Sequence, residues 1–324
     1  MTTPTESPER TGSAAEQARR LAIAEHLPAD GCSLETARAY TSWLARNHYE
    51  NFRVATWLLP RRLHQAFYDV YAYCRWSDDL GDEVEDPSAA LALLDWWEGE
   101  FERGLEGRAR HPAIVALART IREHDLPAQP FRDLLRAFRQ DQSVTRYPDW
   151  ESLLDYCRYS ANPVGRLVLA LGSYRDEERQ RLSDFICSGL QLANFWQDVS
   201  LDWRKGRIYI PLDRLAAHGL GEADIARGRF DERYAALMRE LVGRTRKLFE
   251  QGKPLAGMVS PGLRVDIELF GAGGVAVLDA IERIGFNTLE RRPVVGKATQ
   301  MRLLAKALAG RWLGGGDARA GRVA

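Results

Sequence analysis

The sequence predicts an all-α protein, and three observations carry that reading. Helical periodicity of apolar residues dominates from Ser33 onward. Prolines followed by good helix formers stand where a first helical turn tolerates them, at Pro60, Pro112, Pro130, Pro148, Pro163 and Pro211. Val, Ile and Thr do not alternate with polar residues over any long stretch, and the only strand-like fragment is Arg207-Ile208-Tyr209-Ile210-Pro211.

In chain order, residues 1–32 are rich in Thr, Pro, Ser, Glu and Arg and lack the ~7–15-residue apolar stretch of a secretory signal. They read as the flexible arm of a cytoplasmic protein. Helices are then expected at about 34–48, 61–85, 88–106, 112–124, 130–143, 149–159, 163–173, 177–202, 222–228, 231–251, 261–285 and 297–312. No composition shift or long linker cuts this run, so 33–312 is expected to form one all-helical domain. The glycine-rich segment 313–324 reads as a disordered tail.

With 324 residues, 45% of them hydrophobic, the chain can build a sizeable core. Its 45 basic and 45 acidic side chains cancel, which removes the electrostatic footprint of a nucleic-acid-binding protein. Any function must therefore rest on local charge. Cys32, Cys74, Cys157 and Cys187 lack C-x-x-C or Cys/His metal spacing and read as reduced thiols in or near the core. No run approaches the ~20 apolar residues that span a bilayer, the best being the short, glycine-interrupted Leu269 to Leu278. Peripheral membrane contact stays compatible with this composition.

Two acidic clusters stand out. In the first, Tyr71, Arg75, Asp78 and Asp82 step by 4, 3 and 4 residues, so a phenol, a guanidinium and two carboxylates share one helical face. Like charges at that spacing cost an isolated helix roughly 0.2–0.5 kcal/mol per pair unless a cation sits between them. A solvated helix end is the bland alternative, but an exposed face would rarely keep Phe67, Tyr71 and Trp76 beside its charges. In the second cluster Asn194, Asp198 and Asp202 form one polar line flanked by Leu190, Leu192, Phe195 and Trp196. Burying such groups unpaired would cost a few kcal/mol each, so they face solvent or hold something. Magnesium suits them, because it prefers oxygen ligands and bridges one or two carboxylates to substrate phosphates.

Directly after comes Trp203-Arg204-Lys205-Gly206-Arg207-Ile208-Tyr209-Ile210-Pro211, three cations in four residues around a glycine. Beside a metal–diphosphate site, a mobile basic flap of this kind neutralises a leaving group and excludes water. Other features weigh less. Gly271-Ala272-Gly273-Gly274 lacks both the preceding strand and the spacing of a dinucleotide fingerprint, and reads as close helix packing. His48, within Asn47-His48-Tyr49-Glu50-Asn51-Phe52, lies where it could cross a pocket mouth.

With those residues assembled, the chain resembles the squalene/phytoene synthase family of head-to-head prenyl synthases over about 260 residues, from His48 to roughly Lys306. The resemblance rests on Tyr71-x-x-x-Arg75-x-x-Asp78-x-x-x-Asp82, on Gln191-x-x-Asn194-x-x-x-Asp198-x-x-x-Asp202, and on Lys205-Gly206-Arg207-Ile208-Tyr209-Ile210-Pro211. It implies a class I terpenoid synthase fold in which the two motifs face each other across a central cavity. It also implies two or three magnesium ions on Asp78, Asp82, Asn194, Asp198 and Asp202. His48, Asn51, Phe52, Tyr71, Arg75, Gln191, Asn194, Lys205 and Arg207 would bind the substrate, and Tyr71, Arg75, Lys205 and Arg207 would act in catalysis. No nicotinamide cofactor is expected.

Within the family, His48-Tyr49-Glu50-Asn51-Phe52, Trp57-Leu58-Leu59-Pro60 and Ser77-Asp78-Asp79-Leu80-Gly81-Asp82-Glu83 are most similar to the bacterial hydroxysqualene synthases of hopanoid gene clusters. That likeness implies a carbon–oxygen lyase taking presqualene diphosphate and water to hydroxysqualene and diphosphate. A presqualene diphosphate synthase and a hydroxysqualene reductase would be its pathway partners. Phytoene and dehydrosqualene synthases usually carry Ser-x-Ser-Phe where this chain has Tyr49-Glu50-Asn51-Phe52, and many carry Arg in place of Gln197. Both changes remove phosphate-binding groups, which fits a substrate with one diphosphate better than two; Arg53, Arg61 and Arg291 are the cations that could replace them. Phe52, Tyr71, Tyr73 and Trp196 are expected to steady a carbocation. The alternatives are a prenyltransferase condensing two prenyl diphosphates to presqualene diphosphate, phytoene or dehydrosqualene, and a non-catalytic assembly or lipid-binding relative.

Overall fold

In the computed structural model the described residues are 32–47 and 61–314, with 306–314 described for their backbone alone. The expected roles of His48, Asn51 and Phe52, the arm as far as residue 31 and the tail from residue 315 fall outside them, while residues 313 and 314, expected in the tail, continue the last helix. The helices are α1 (Leu34–Asn47), α2 (His64–Asp82), α3 (Pro87–Leu105), α4 (Pro112–His124), α5 (Gln129–Gln140), α6 (Trp150–Ser160), α7 (Asn162–Leu171), α8 (Glu177–Gln197), α9 (Val199–Arg204), α10 (Leu212–Ala217), α11 (Glu222–Arg227), α12 (Glu232–Gly252), α13 (Pro261–Arg283) and α14 (Lys297–Gly314). Short 3₁₀ turns occupy Arg61–Leu63 and Lys253–Met258. Among the described residues the strand-like fragment reduces to one isolated parallel bridge, Arg146 with Ile208.

Three expected boundaries move for local reasons. The helix read as 61–85 begins as a 3₁₀ turn and ends at Asp82, because Asp86 caps the next helix through a bond from the Ala89 amide (3.0 Å) with Pro87 in the first turn. The helix read as 177–202 breaks at Asp198, where φ −107° and ψ 15° separate α8 from α9. The short α10 was not expected at all; Pro211, seen as punctuation, is its N-cap.

Contacts divide the chain into two compact units. The first comprises, of the described residues, 32–47 and 65–123. Its core centres on Trp97, fully buried and stacked on Tyr73 (5.7 Å) and Trp76 (5.6 Å). A buried carboxylate ties three helices together: Asp69 on α2 accepts from Thr41 of α1 (2.6 Å), Thr120 of α4 (2.6 Å) and Gln65 (2.8 Å). Burial raises the Asp69 pKa against the lowering effect of those three donors. Nearby, the fully buried Glu100 accepts the backbone N–H groups of Arg110 and His111 (3.0 Å each) and pairs with Arg103.

The second unit comprises residues 61–64 and 124–314 of those described. Its long helix α8 starts at Asp176, whose side chain accepts the Arg179 amide (3.0 Å), and packs among α7, α12 and α13. Close approach depends on a small residue: a Cβ on Gly274 of α13 would stand 2.3 Å from Phe249 of α12 and 2.9 Å from Leu190 of α8. This bears out helix packing for the Gly271–Gly274 stretch, although a Cβ at Gly271 or Gly273 would meet nothing. All four cysteines are free, with Cys157 buried. No helix among the described residues is long and apolar enough to cross a membrane.

Candidate functional site

The first motif lies on one uninterrupted helix. On α2, Ala72, Tyr73, Trp76, Ser77, Asp79 and Leu80 turn into the core, while Tyr71, Arg75 and Asp78 are half-buried and Asp82 is exposed. The Asp78-Asp79 doublet is thereby split: the Asp78 side chain is 48% exposed and that of Asp79 only 5%. Arg75 joins them, with Nη1 donating to Asp78 Oδ2 (3.2 Å) and Nη2 meeting Asp79 and Glu83 Oε1 (3.1 Å). Burial works against the charge of Arg75, but Asp79, Asp78 and Glu83 together outweigh it and raise its pKa. Burial, reinforced by the negative charge of Asp78, pushes the neighbouring Cys74 thiol up to about 12, so it stays protonated at neutral pH.

The second motif straddles a helix break. Gln191, Asp198 and Asp202 are half-buried and Asn194 is exposed, whereas Phe195, Trp196 and Gln197 turn inward. The polar line therefore faces out of the core, as its spacing implied. The Asp202 amide donates to the Asp198 carbonyl (2.8 Å), keeping the turn closed across the break. Arg292 grips the Asp198 carboxylate with both arms of its guanidinium, Nε to Oδ1 at 2.5 Å and Nη2 to Oδ2 at 3.1 Å. The hydrogen bond to Asp198 raises the Arg292 pKa, against a smaller effect of burial.

The structure revises two readings here. Gln197, noted where many phytoene and dehydrosqualene synthases carry Arg, is buried, and its Nε2 donates to the Pro293 carbonyl (2.7 Å). Its placement gives it a structural partner, so its absence of charge says little about phosphate contacts. Tyr73 and Trp196, expected to steady a carbocation, are fully buried core residues: Tyr73 stacks on Trp97, and Trp196 Nε1 donates to Thr245 (2.8 Å). Tyr71 remains the accessible ring of this set among the described residues.

The basic segment after Asp202 is anchored along its backbone. Ile208 N–H donates to Thr145 O (2.9 Å), Leu212 N–H to Tyr147 O (3.0 Å) and Arg207 N–H to Asp202 O (2.9 Å). Arg146 Nη1 donates to Gly206 O (2.6 Å) while its Nε holds Glu222 (2.9 Å). Gly206 itself sits at φ +75°, a conformation that glycine adopts without strain. Tyr209 lies flat on Phe195 with centroids 3.7 Å apart. The expected mobile flap is thus a tied turn presenting Lys205, exposed, and Arg207, half-buried.

These groups suit a hard cation. Each motif offers accessible carboxylate or amide oxygens and no sulfur or imidazole, which matches magnesium's habit of taking few protein ligands and keeping waters. Among the described residues no three His, Cys, Asp or Glu side chains form a ready-made metal cage. Tyr71, Arg75, Asp78 and Asp82 are gathered within the first unit, and Gln191, Asn194, Asp198, Asp202, Lys205 and Arg207 within the second. Sequence reasoning missed Asp79 and Glu83 as partners of Arg75, although the i,i+4 spacing of Arg75 and Asp79 signals a pair. It also missed Arg292 as the partner of Asp198; the signal in the sequence was a basic doublet before Pro293.

An all-α fold carrying an aspartate pair on one helix, an Asn/Asp/Asp line on another and a basic turn directly after it defines an isoprenoid synthase. The chain belongs to the squalene/phytoene synthase family, whose model matches residues 45–299. A squalene synthase HpnC from Alicyclobacillus acidocaldarius has the same fold, with a TM-score of 0.75 and 44% identity, covering 78% of this chain and 96% of that one. The hydroxysqualene synthase of Rhodopseudomonas palustris is 36% identical over 67% of this chain and 75% of its own length. A phytoene synthase from Arthrospira platensis is 32% identical over 81% of this chain and 88% of its own. Enzymes of this family act on prenyl diphosphates.

Proposed function

We propose that the protein is a magnesium-dependent hydroxysqualene synthase, converting presqualene diphosphate and water to hydroxysqualene and diphosphate. The observation that carries the reading is the outward-facing line Asn194, Asp198 and Asp202 followed directly by the tied turn that presents Lys205 and Arg207. Asp78, Asp82, Asn194, Asp198 and Asp202 would hold the metal, which when bound supplies positive charge to the departing diphosphate. Lys205 and Arg207, fixed by the bonds to Thr145 and Arg146, stabilise the negative charge that develops as the carbon–oxygen bond breaks. Arg75 holds Asp78 in place, and the half-buried Tyr71 offers a ring face to the cyclopropylcarbinyl cation left when diphosphate departs. The cation rearranges, a carbon–carbon bond of the three-membered ring opens as water adds its oxygen, and one proton is released, so the products are the open-chain alcohol and diphosphate.

The choice of this reaction is supported by the HpnC and hydroxysqualene synthase likenesses and by the Tyr49-Glu50-Asn51-Phe52 sequence. A condensing prenyltransferase is the second reading, favoured by the phytoene synthase likeness. Mass spectrometry of products from presqualene diphosphate and from farnesyl diphosphate, supplied separately, tests the choice. Hydroxysqualene from the first substrate alone is expected, and a C30 product from farnesyl diphosphate alone would overturn it. In this reading a condensing synthase supplies the substrate and a reductase consumes the alcohol.

A further inference from the structure

We propose that Arg292 is a resident counter-ion of Asp198, an internal competitor that a divalent cation must displace before it binds the second acidic motif. The inference rests on the metal-binding role given to Asp198 above. Both carboxylate oxygens are engaged by the guanidinium fork, at 2.5 and 3.1 Å. A bidentate fork lies in the carboxylate plane, along the directions in which a metal would coordinate. Cation and guanidinium cannot share those oxygens at full strength, and their charges repel.

The pair is built to exchange. Its side chains are 48% and 26% exposed, so water can take over from either partner when the bond opens. The segment carrying Arg292 does not depend on that bond, because Gln197 holds the Pro293 carbonyl, Tyr234 and Thr288 share a hydroxyl bond (2.7 Å), and Glu290 accepts from Asn287 (2.8 Å) and from the Phe230 amide (3.3 Å). Release therefore needs rotation of one side chain. Arg75 in the first motif is placed differently, since losing Asp78 would still leave it Asp79 and Glu83. For Arg292, Asp198 is the one acidic partner among the described residues.

Linkage then fixes the consequence: cation affinity is lowered by the fraction of time the pair is closed, and cation binding opens the pair by the same factor. The test is Mn²⁺ binding, measured by calorimetry and by the free-ion paramagnetic resonance signal, without diphosphate and at low salt. Wild type, R292Q, R292K, R291Q, D198N and the D198N/R292Q double variant are compared, each checked for an unchanged melting temperature. R292Q is expected to tighten Mn²⁺ several-fold, R292K, which keeps the charge but not the fork, to fall between wild type and R292Q, and R291Q, which removes a neighbouring charge without touching Asp198, to change little. D198N should weaken binding and abolish the effect of R292Q.

If Mn²⁺ binds wild type and R292Q equally while D198N still weakens it, the metal reading stands and the competitor role of Arg292 is wrong. An equal gain in R291Q and R292Q would reduce the effect to general charge and would also overturn the role. If Mn²⁺ fails to bind any variant, even with inorganic diphosphate present, the metal reading itself falls and takes the inference with it.

Discussion

The two acidic motifs solve one electrostatic problem in opposite ways. In the first, the arginine that answers the aspartates comes from the same helix, Arg75 lying three, four and eight residues from Asp78, Asp79 and Glu83. In the second, it comes from Arg292, 94 residues beyond Asp198, and the helix breaks at the aspartate it holds. One motif is a self-contained piece of helix with a buried anchor in Asp79. The other is assembled from distant chain and is open to exchange. A carboxylate held locally is fixed by folding, whereas one held from afar can be handed to another ligand.

If both motifs serve the same diphosphate, removing either should be equally severe, and this is where the largest effects are expected. D78N and D198N should each lower diphosphate release from presqualene diphosphate by about 100-fold or more, with folding intact by circular dichroism. A variant retaining near-normal turnover would break the pairing of the motifs. Stability should separate them in the other direction. R75Q leaves the buried Asp79 without its cation and should lower unfolding free energy by about 2–3 kcal/mol in urea titrations, a figure already reduced for the partial exposure of Arg75. R292Q, removing a half-exposed pair, should cost under about 1 kcal/mol. Equal losses would erase the distinction between fixed and exchangeable carboxylates.

Acid should sharpen the same contrast at the level of the two units. Burial lowers the pKa of His111 in the first unit from 6.5 to about 3, so its imidazole is neutral in the folded protein and charged in the unfolded chain below its ordinary pKa. Its contribution is complete above about pH 6.5 and is lost as pH falls toward 3. Tryptophan fluorescence, dominated in that unit by Trp76, Trp96 and Trp97 around His111, should report this loss, and H111N should flatten the pH dependence between 6.5 and 4. On turnover, a smaller effect than that of the aspartate variants is expected for R146Q, which frees the Gly206 carbonyl from its donor. Loosening the turn that presents Lys205 and Arg207 should reduce kcat by about tenfold with KM little changed, corresponding to about 1.4 kcal/mol.

What was legible in the sequence was whatever neighbouring residues decide. Pro112 and Pro261 opened helices where expected, and the stripes through Tyr71, Arg75 and Asp78 and through Asn194, Asp198 and Asp202 do face away from the core. The end of α2 was misjudged because the Asp86 cap belongs to the following helix. Tyr73 and Trp196 were assigned to the site because they are aromatic neighbours of the motifs, but a helix turns about 100° per residue, and two steps carried each to the opposite side and into the core. The partners of Arg292 and Gln197 were invisible for another reason. They are set by how the segment after α13 returns to α8, and no local spacing encodes that return.

The contact between Gly274 and Phe249 has an evolutionary corollary. A ring that fills the space where a Cβ on position 274 would stand makes the two positions a single volume shared by two helices. In related chains a larger residue at 274 should be accompanied by a smaller one at 249, and neither change should be found alone. In the laboratory, G274A should be damaging by itself and relieved by F249L, so that two individually harmful substitutions restore a fold that each disrupts.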